Sequence, residues 1–453
     1  MTRIYPQFVV AKFGGTSVAD FDAMNRSATI VLADDHVRLV VLSASAGVTN
    51  LLVELSEGLE SCDRMDKIDT LRTIQYNIIS RLQRPSVISK EIDHLLENIA
   101  HLAEIAYSTP CSSLSDELVS HGELMSSLLF TEVLRERGAE AQWFDARKVI
   151  RTNSDYGCAE PIVSQVAEQA EIHLRPRIEQ AIAITQGFIG SDDAGHTTTL
   201  GRGGSDYTAS LLGEALQAAR VDIWTDVAGI YTTDPRIVNQ AQRIDHISFS
   251  EASDMAAFGA KVLHPATLLP AMRKNIPVFV GSSKNTAAGG TLVRRETENP
   301  PRYRAIAVRR KQTLLRLHSL HEQPAYAFFA EMFAILANHE VAVDLLTTSE
   351  NSVALALDST GSTSGEDHTL TTSLLTALSS HCRVEIETGL ALVTLIGNQL
   401  HQETGVCRDA FSGLADHAVR MICHGASDNH LSVLLPGESA DSAVIELHRR
   451  LFE

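Results

Sequence analysis

Over roughly its first 290 residues the chain alternates short aliphatic and β-branched runs with longer helical stretches, and this alternation limits the possible folds more than any other feature. FVVAKF, RLVVLSAS, AIAITQGFIG, VDIWTDV and IPVFVGSS are the kind of run expected of strands buried on both faces. Between them, DELVSHGELMSSLLFTEVLRERG sets Leu118, Met125, Leu128, Leu129 and Val133 on one apolar stripe. Ser115 offers a cap, Asp116 and Glu117 suit the positive helix start, and Gly138 supplies a stop. Strands alternating with helices predict an α/β fold, a mainly parallel sheet sandwiched by helices, with ligands at the carboxyl ends of the strands.

The alternation lapses at ENPPRYRAIAVRRKQ, where Pro300 and Pro301 sit beside a basic cluster, so the chain divides into residues 1–298 and a second region, 299–453. The second region repeats itself at an offset of 78 residues: Phe333 meets Phe411, Leu336 meets Leu414, Ala337 meets Ala415, His339 meets His417, Val341 meets Val419, Ser349 meets Ser427 and Asn351 meets Asn429. Each copy reads strand, loop, helix, strand, turn, strand, which predicts two small α+β units packed together, about 313–388 and 389–453. His339 and His417 read as caps at helix ends rather than catalytic groups. STGSTSGEDHT, between the copies, is small and polar and reads as a mobile connector.

A formal net charge of −18, with no basic run interleaved with aromatics, argues against a nucleic-acid partner. No apolar run reaches membrane-spanning length. The stretch before Lys12 is too short for a signal-peptide core, and the scattered cysteines at 62, 111, 158, 382, 407 and 423 form no CxxC or Cys/His ligand spacing. A reduced, cytoplasmic compartment is the expectation.

Three segments can carry chemistry. In GRGGSDYTA, glycines flank Arg202, and Ser205 and Asp206 open a helix whose free N–H groups favour an anion. Arg202 is either a bidentate grip on a carboxylate or phosphate or a surface arginine in an ordinary turn. In KFGGTSV, Lys12 precedes Gly14, Gly15, Thr16 and Ser17, either a phosphate rest or a plain glycine turn with an exposed lysine. It is no Walker A loop, since no lysine in the chain follows a glycine, and no GxGxxG occurs. Glu123 in VSHGELMS stands mid-helix among apolar neighbours and needs a partner, a protein cation or a ligand's ammonium. WTDVAGIYTTDPR and GAKVLHP place aromatic and basic groups after a strand, where loop scaffolding and nucleotide binding are both open readings.

In this order, KFGGTS, SHGELMS, TTTLGRGGSDYTA, WTDVAGIYTTDPR, FGAKVLHPAT and the tandem repeat closely resemble the aspartate kinases, most of all their lysine-sensitive monofunctional form, over essentially the whole chain. The resemblance implies an amino-acid-kinase fold followed by two ACT domains. It also implies transfer of the γ-phosphoryl group of ATP, carried with Mg2+, to the β-carboxylate of L-aspartate. The product is 4-phospho-L-aspartate, and the reaction is the first step of lysine, threonine and methionine biosynthesis. A homodimer or higher homo-oligomer and feedback by an amino-acid effector, lysine, are implied as well.

By the same resemblance, Arg202, with Gly203, Gly204 and Ser205 on its turn, holds the α-carboxylate, Glu123 takes the ammonium, and Ser43 and Thr49 line that pocket. Lys12 neutralises the transferring phosphoryl group, and Asp206 orients Lys12 or contacts substrate. Lys12, Phe13, Gly14, Gly15, Thr225, Asp226, Tyr231, Arg236, Lys261 and Val262 bind ATP, and no protein side chains are assigned to the metal. The effector site involves Glu322, Phe328, Phe329, Asp344, Ser349 and Glu350. Around it the chain departs from the family pattern. Glu322, Pro324, Ala325 and Ala327 stand where relatives have small residues and a glycine, with a methionine earlier, and Ala342 replaces a serine. Weakened or altered lysine inhibition is therefore expected.

Two other functions are compatible with the phosphate loops: a kinase of the same fold acting on glutamate or acetylglutamate, and an inactive amino-acid sensor. The tandem repeat and SHGELMS favour aspartate, and the presence of Lys12, Glu123, Arg202 and Asp206 together favours catalysis. Length and the missing dinucleotide motif exclude a fused dehydrogenase.

Overall fold

A computed structural model describes residues 7–259, 263, 265–320, 324–358 and 370–453. The chain forms two compact units. One comprises the residues up to Ile230 with Arg243–Phe249 and Val262–Thr297, and the other comprises Tyr231–Gln242, Ser250–Lys261 and Glu298–Glu453.

Among the described residues the first unit has ten strands: β1 Val9–Phe13, β2 Val37–Leu42, β3 Ala141–Trp143, β4 Ile182–Gln186, β5 Ile189–Ser191, β6 Thr197–Thr199, β7 Arg220–Thr225, β8 His246–Ser248, β9 Val278–Ser282 and β10 Gly290–Arg294. Eight of them form one sheet in the order β3-β4-β2-β1-β7-β9-β10-β8, parallel from β3 to β9, with β10 antiparallel to β9. All five residues of β1 are buried, because β2 and β7 flank it in the sheet and helices cover its faces. β2 lies on one side of β1 and β7 on the other, so the strand order reverses at β1, and in open α/β sheets ligands gather at the carboxyl end of such a point. β5 and β6 form a separate antiparallel pair ahead of the Arg202 turn.

The long helix Ser112–Glu136 buries Leu118, Met125, Leu129 and Val133 in the unit's main core. It ends before Gly138, which takes φ +84°, as a helix stop requires. Its start differs from expectation. The helix begins one turn early, after Cys111, so Ser115 lies inside it and bonds to Ser56 Oγ at 3.0 Å instead of capping. Asp116, read as a dipole-complementing residue, is buried in bonds to other segments.

Among the described residues the second unit has six strands, β11 Tyr303–Ser319, β12 Leu345–Thr348, β13 Ser352–Asp358, β14 Cys382–Gly397, β15 Met421–His424 and β16 His430–Pro436, in the order β12-β13-β11-β14-β16-β15. The order is symmetric about the β11–β14 pair, and β13 and β16 stand at the 78-residue offset read from the repeat. The two copies therefore join through β11 and β14 within one chain. The early half of β11 packs with the second copy (Ile306 with Leu431 and Val433), while the late half packs with the first (Leu315 and Leu317 with Phe328 and Met332). Each copy carries a second helix, Thr372–Ser379 and Ala440–Leu451, that the sequence reading did not separate. Residue His339 caps the helix Ala325–Asn338. Residues 359–369, the STGSTSGEDHT connector, lie outside the described residues.

Segments Tyr231–Gln242 and Ser250–Lys261 belong to this unit through polar ties: Ile306 N–H donates to Thr232 O at 2.7 Å, and Arg304 Nε meets Glu251 Oε1 at 2.6 Å. No described helix is long and apolar enough to cross a membrane.

Candidate active site

Lys12 puts a cation into an otherwise apolar strand, and the fold accommodates it by pairing. Its Nζ lies 2.5 Å from Asp206 Oδ1, and the residue is only 8% exposed, so it is no surface lysine. Asp206 is held there as the third residue of the helix Gly204–Leu216. A Cβ on Gly14 would lie 3.6 Å from the Lys12 ammonium, an ordinary contact distance, so the turn runs directly beside the charge. Of the amides in the following turn, Gly14 N–H is already donated to Trp224 O at 3.0 Å, whereas Gly15 N and Thr16 N engage no acceptor among the described residues. An anion can therefore rest on the later amides, not on Gly14. Phe13 is fully buried, its ring stacked on that of Trp224 at 6.4 Å and tilted against that of Phe130 at 6.0 Å, and its carbonyl accepts Ser43 N–H at 3.2 Å.

Glu123 is 3% exposed. Its Oε1 accepts Ala44 N–H at 3.0 Å, and its Oε2 is buried without a hydrogen-bond partner. Burial pushes the carboxyl up to about 8, against the opposing pull of the Ala44 amide and the Lys12 charge. The close approach depends on Gly122, where a Cβ would fall 2.8 Å from Ala44 Cβ and 3.2 Å from Leu52 Cδ1. The same helix grips the next residue too, since Ser126 Oγ donates to Ser43 O at 2.8 Å. Ser43 thus sits at the end of β2, half-buried, with Thr49 half-buried in the first turn of the helix Val48–Ser56.

Arg202 occupies a turn that only its neighbours' lack of side chains permits: Gly201 and Gly203 have φ +70° and +73°. Gly203 is the residue before the helix Gly204–Leu216; Gly204 N–H is donated to Gly201 O at 3.1 Å, whereas Ser205 N and Asp206 N engage no acceptor among the described residues. The guanidinium is exposed and makes no ion pair among the described residues. Ser205 packs so tightly on the end of β4 that a Cβ at Gly187 would lie 2.6 Å from its own Cβ.

Thr225 ends β7, and its carbonyl accepts Ser283 N–H at 2.8 Å, with Asp226 exposed beside it. Ser283 Oγ in turn bonds Ser17 Oγ at 2.7 Å, tying the Lys12 loop to the end of β9. Nothing local announces this tie, because the partners are 266 residues apart and the pattern of KFGGTSV says nothing about which distant strand end Ser17 meets. Tyr231 and Arg236 lie in Tyr231–Gln242 of the second unit, where Arg236 is exposed and paired with Asp234 at 2.6 Å. Lys261 and Val262 lie outside the described residues, as does Glu322. Among the other effector candidates, Phe328 is buried in the first-copy core with Phe329 packed against it, Ser349 and Glu350 are exposed in the β12–β13 turn, and Asp344 is paired with Arg309 at 2.6 Å. Ala327 raises no φ problem: it lies in the first turn of the helix Ala325–Asn338, its N–H donated to Pro324 O at 2.9 Å. Among the described residues no group of three or more His, Cys, Asp or Glu side chains is arranged to hold a metal ion.

The amino acid kinase family profile matches residues 7–282, and an ACT domain profile matches residues 393–451. The chain is 63% identical over 447 residues to the lysine-sensitive aspartokinase 3 of Escherichia coli K12, covering 99% of this chain and 100% of that one. Its fold matches E. coli aspartokinase III in complex with aspartate and ADP, described as the R-state, with a TM-score of 0.93 at 63% identity, over 99% and 100% of the two chains. Against the same enzyme in complex with lysine and aspartate, the T-state, the TM-score is 0.85 at 62% identity, over the same shares.

Proposed function

Because this chain belongs to the amino acid kinase family as an aspartokinase, we propose that the cluster around Lys12 carries its reaction, transfer of the ATP γ-phosphoryl group to the β-carboxylate of L-aspartate. The nucleophile needs no general base, because a β-carboxylate of pKa about 3.9 is ionised at neutral pH. Its oxygen bonds to the γ-phosphorus as the bond to the β,γ-bridging oxygen breaks, giving 4-phospho-L-aspartate and ADP. The obstacle is repulsion between two anions, which fixed positive charge and positioning overcome.

The observation that carries this reading is the Glu123 carboxylate, buried with one oxygen fixed and the other bare, within electrostatic reach of the Lys12–Asp206 pair. It suits the ammonium of an amino-acid substrate. Arg202, without a protein partner among the described residues, suits the α-carboxylate, and Gly203, Gly204 and Ser205 offer the adjoining helix start. Ser43 and Thr49 complete that side. Lys12, steered by Asp206, takes the transferring phosphoryl group, with Gly15 and Thr16 amides beneath it. Thr225, Asp226, Tyr231, Arg236, Lys261 and Val262 are assigned to ATP, together with Phe13 and Gly14, which shape the turn beneath the phosphates while Gly14 N–H stays with Trp224 O. Mg2+ comes with the ATP phosphates and retains waters.

We further infer feedback by lysine at the first ACT copy, involving Phe328, Phe329, Asp344, Ser349 and Glu350, in a homodimer or higher homo-oligomer. The six free cysteines suit a reducing, cytoplasmic setting. Incubation with ATP, Mg2+ and candidate amino acids in the presence of hydroxylamine tests the substrate. Aspartate-dependent acyl hydroxamate is the expected result, a signal only with a glutamate compound points to the sister kinase, and no signal points to a sensor.

A further inference from the structure

We propose that Asp116 is a positioning residue that fixes the Arg202 turn to the helix carrying Glu123, and so sets the span between the two ends of the amino-acid subsite; this rests on the aspartate-site reading above. Asp116 is 4% exposed and has no cationic partner among the described residues. Its Oδ2 accepts the N–H groups of Thr199 at 2.8 Å and Gly157 at 3.0 Å, and its Oδ1 accepts the Thr199 hydroxyl at 2.9 Å. Thr199 ends β6, three residues before Arg202. The Gly157 carbonyl lies 3.3 Å from where a Cβ on Gly201 would sit, so the second bonded segment braces the residue next to Arg202.

Asp116 and Glu123 both lie on the helix Ser112–Glu136. Seven residues is close to two turns, which places them on one face about 10 Å apart along the axis. One rigid element therefore presents the ammonium receptor at one point and anchors the carboxylate receptor at another. The substrate carries both groups on a single carbon, so the receptors must keep a set separation, and a misplacement of about 1 Å can cost on the order of 100-fold. A buried carboxylate without these three donors would be costly, so the bonds hold as long as the unit is folded.

Steady-state kinetics of Asp116→Ala, Asp116→Asn and Thr199→Val test this, with Michaelis constants measured for both substrates. Asp116→Ala is expected to raise the aspartate KM roughly tenfold or more while the ATP KM stays within about twofold. Asp116→Asn should recover most of the loss, because an amide oxygen can accept both N–H groups and its NH2 can face the Thr199 hydroxyl. Equal rises in the two constants, an unchanged aspartate KM, or no recovery with asparagine overturns the proposal. If Asp116→Ala does not fold, Thr199→Val decides: a rise confined to aspartate supports it, and no rise or equal rises overturn it. Arg202→Ala serves as the control. If that variant leaves the aspartate KM unchanged, the site reading itself has failed; if it raises it while the Asp116 variants do not, only the positioning role has.

Discussion

The Lys12 ammonium and the Asp206 carboxylate meet at 2.5 Å across 194 positions of sequence, joining the central strand of the sheet to the first turn of the helix Gly204–Leu216. A paired lysine is a directed one: Asp206 restricts where the charge points while burial keeps water from screening it. Lys12→Ala should lower kcat by about 100-fold or more with the fold retained by circular dichroism. Asp206→Asn should lower it less, since the charge stays and only its aim is lost. Near-normal turnover in Lys12→Ala would remove its phosphoryl role.

Arg202 has no competing protein partner among the described residues, so its loss should register on aspartate, whose α-carboxylate it is proposed to hold. Arg202→Ala is expected to raise the aspartate KM by roughly 10- to 100-fold, the range for hydrogen bonds to a charged group. Nucleotide affinity, measured by titration calorimetry, should change by about twofold at most. Equal losses in both would mean that Arg202 is not the carboxylate grip.

Glu123 gives a pH signature. Its carboxyl is raised to about 8 in the free protein, mainly by burial, so it is largely neutral below that pH and receives an ammonium better as pH rises towards 8. The aspartate KM should fall between pH 6 and 8 and then level off. The sign for stability is the opposite. A carboxyl raised above its unfolded value binds more protons folded than unfolded, so its contribution is fully present below about 4.5 and is lost as pH rises through about 8. Glu123→Gln should therefore weaken aspartate binding yet melt a few degrees higher than the parent at pH 8, on the order of what a modest stability gain produces. A lower melting temperature for the variant at pH 8 would contradict the assignment.

Lysine control should be weak. The first-copy helix starts directly after Pro324, and Asp344, the group suited to an effector's ammonium, is engaged by Arg309 at 2.6 Å. Half-inhibition of the purified enzyme is expected to need lysine on the order of millimolar or above. Strong inhibition at low micromolar lysine would show that the Arg309 pair gives way easily.

The parts of the sheet that carry the site were readable because β1, β2, β4, β7 and β9 are apolar runs buried from both sides. β3, β6 and β8 were not, since three residues such as Thr197–Thr199 carry no period. Lys12 and Arg202 stood out because a charge inside an apolar strand and an arginine between glycines both need a physical reason. Asp116 was misread as a helix-start residue because its partners, Thr199 and Gly157, are 83 and 41 positions away. The Ser17–Ser283 tie was invisible for the same reason. Local pattern singles out the charged groups that need a physical reason, whereas the bonds that hold them in place are set by tertiary contact.

A crystal structure of the protein with L-aspartate and a nonhydrolysable ATP analogue bears most directly on the central claim, that fixed cations and bare amides bring two anions together. The expected result has the α-carboxylate paired to Arg202, the ammonium at Glu123 Oε2, and the Lys12 ammonium against the γ-phosphoryl oxygens facing the β-carboxylate. Aspartate bound away from Glu123 and Arg202, or Lys12 still paired to Asp206 with no contact to the phosphates, would contradict it.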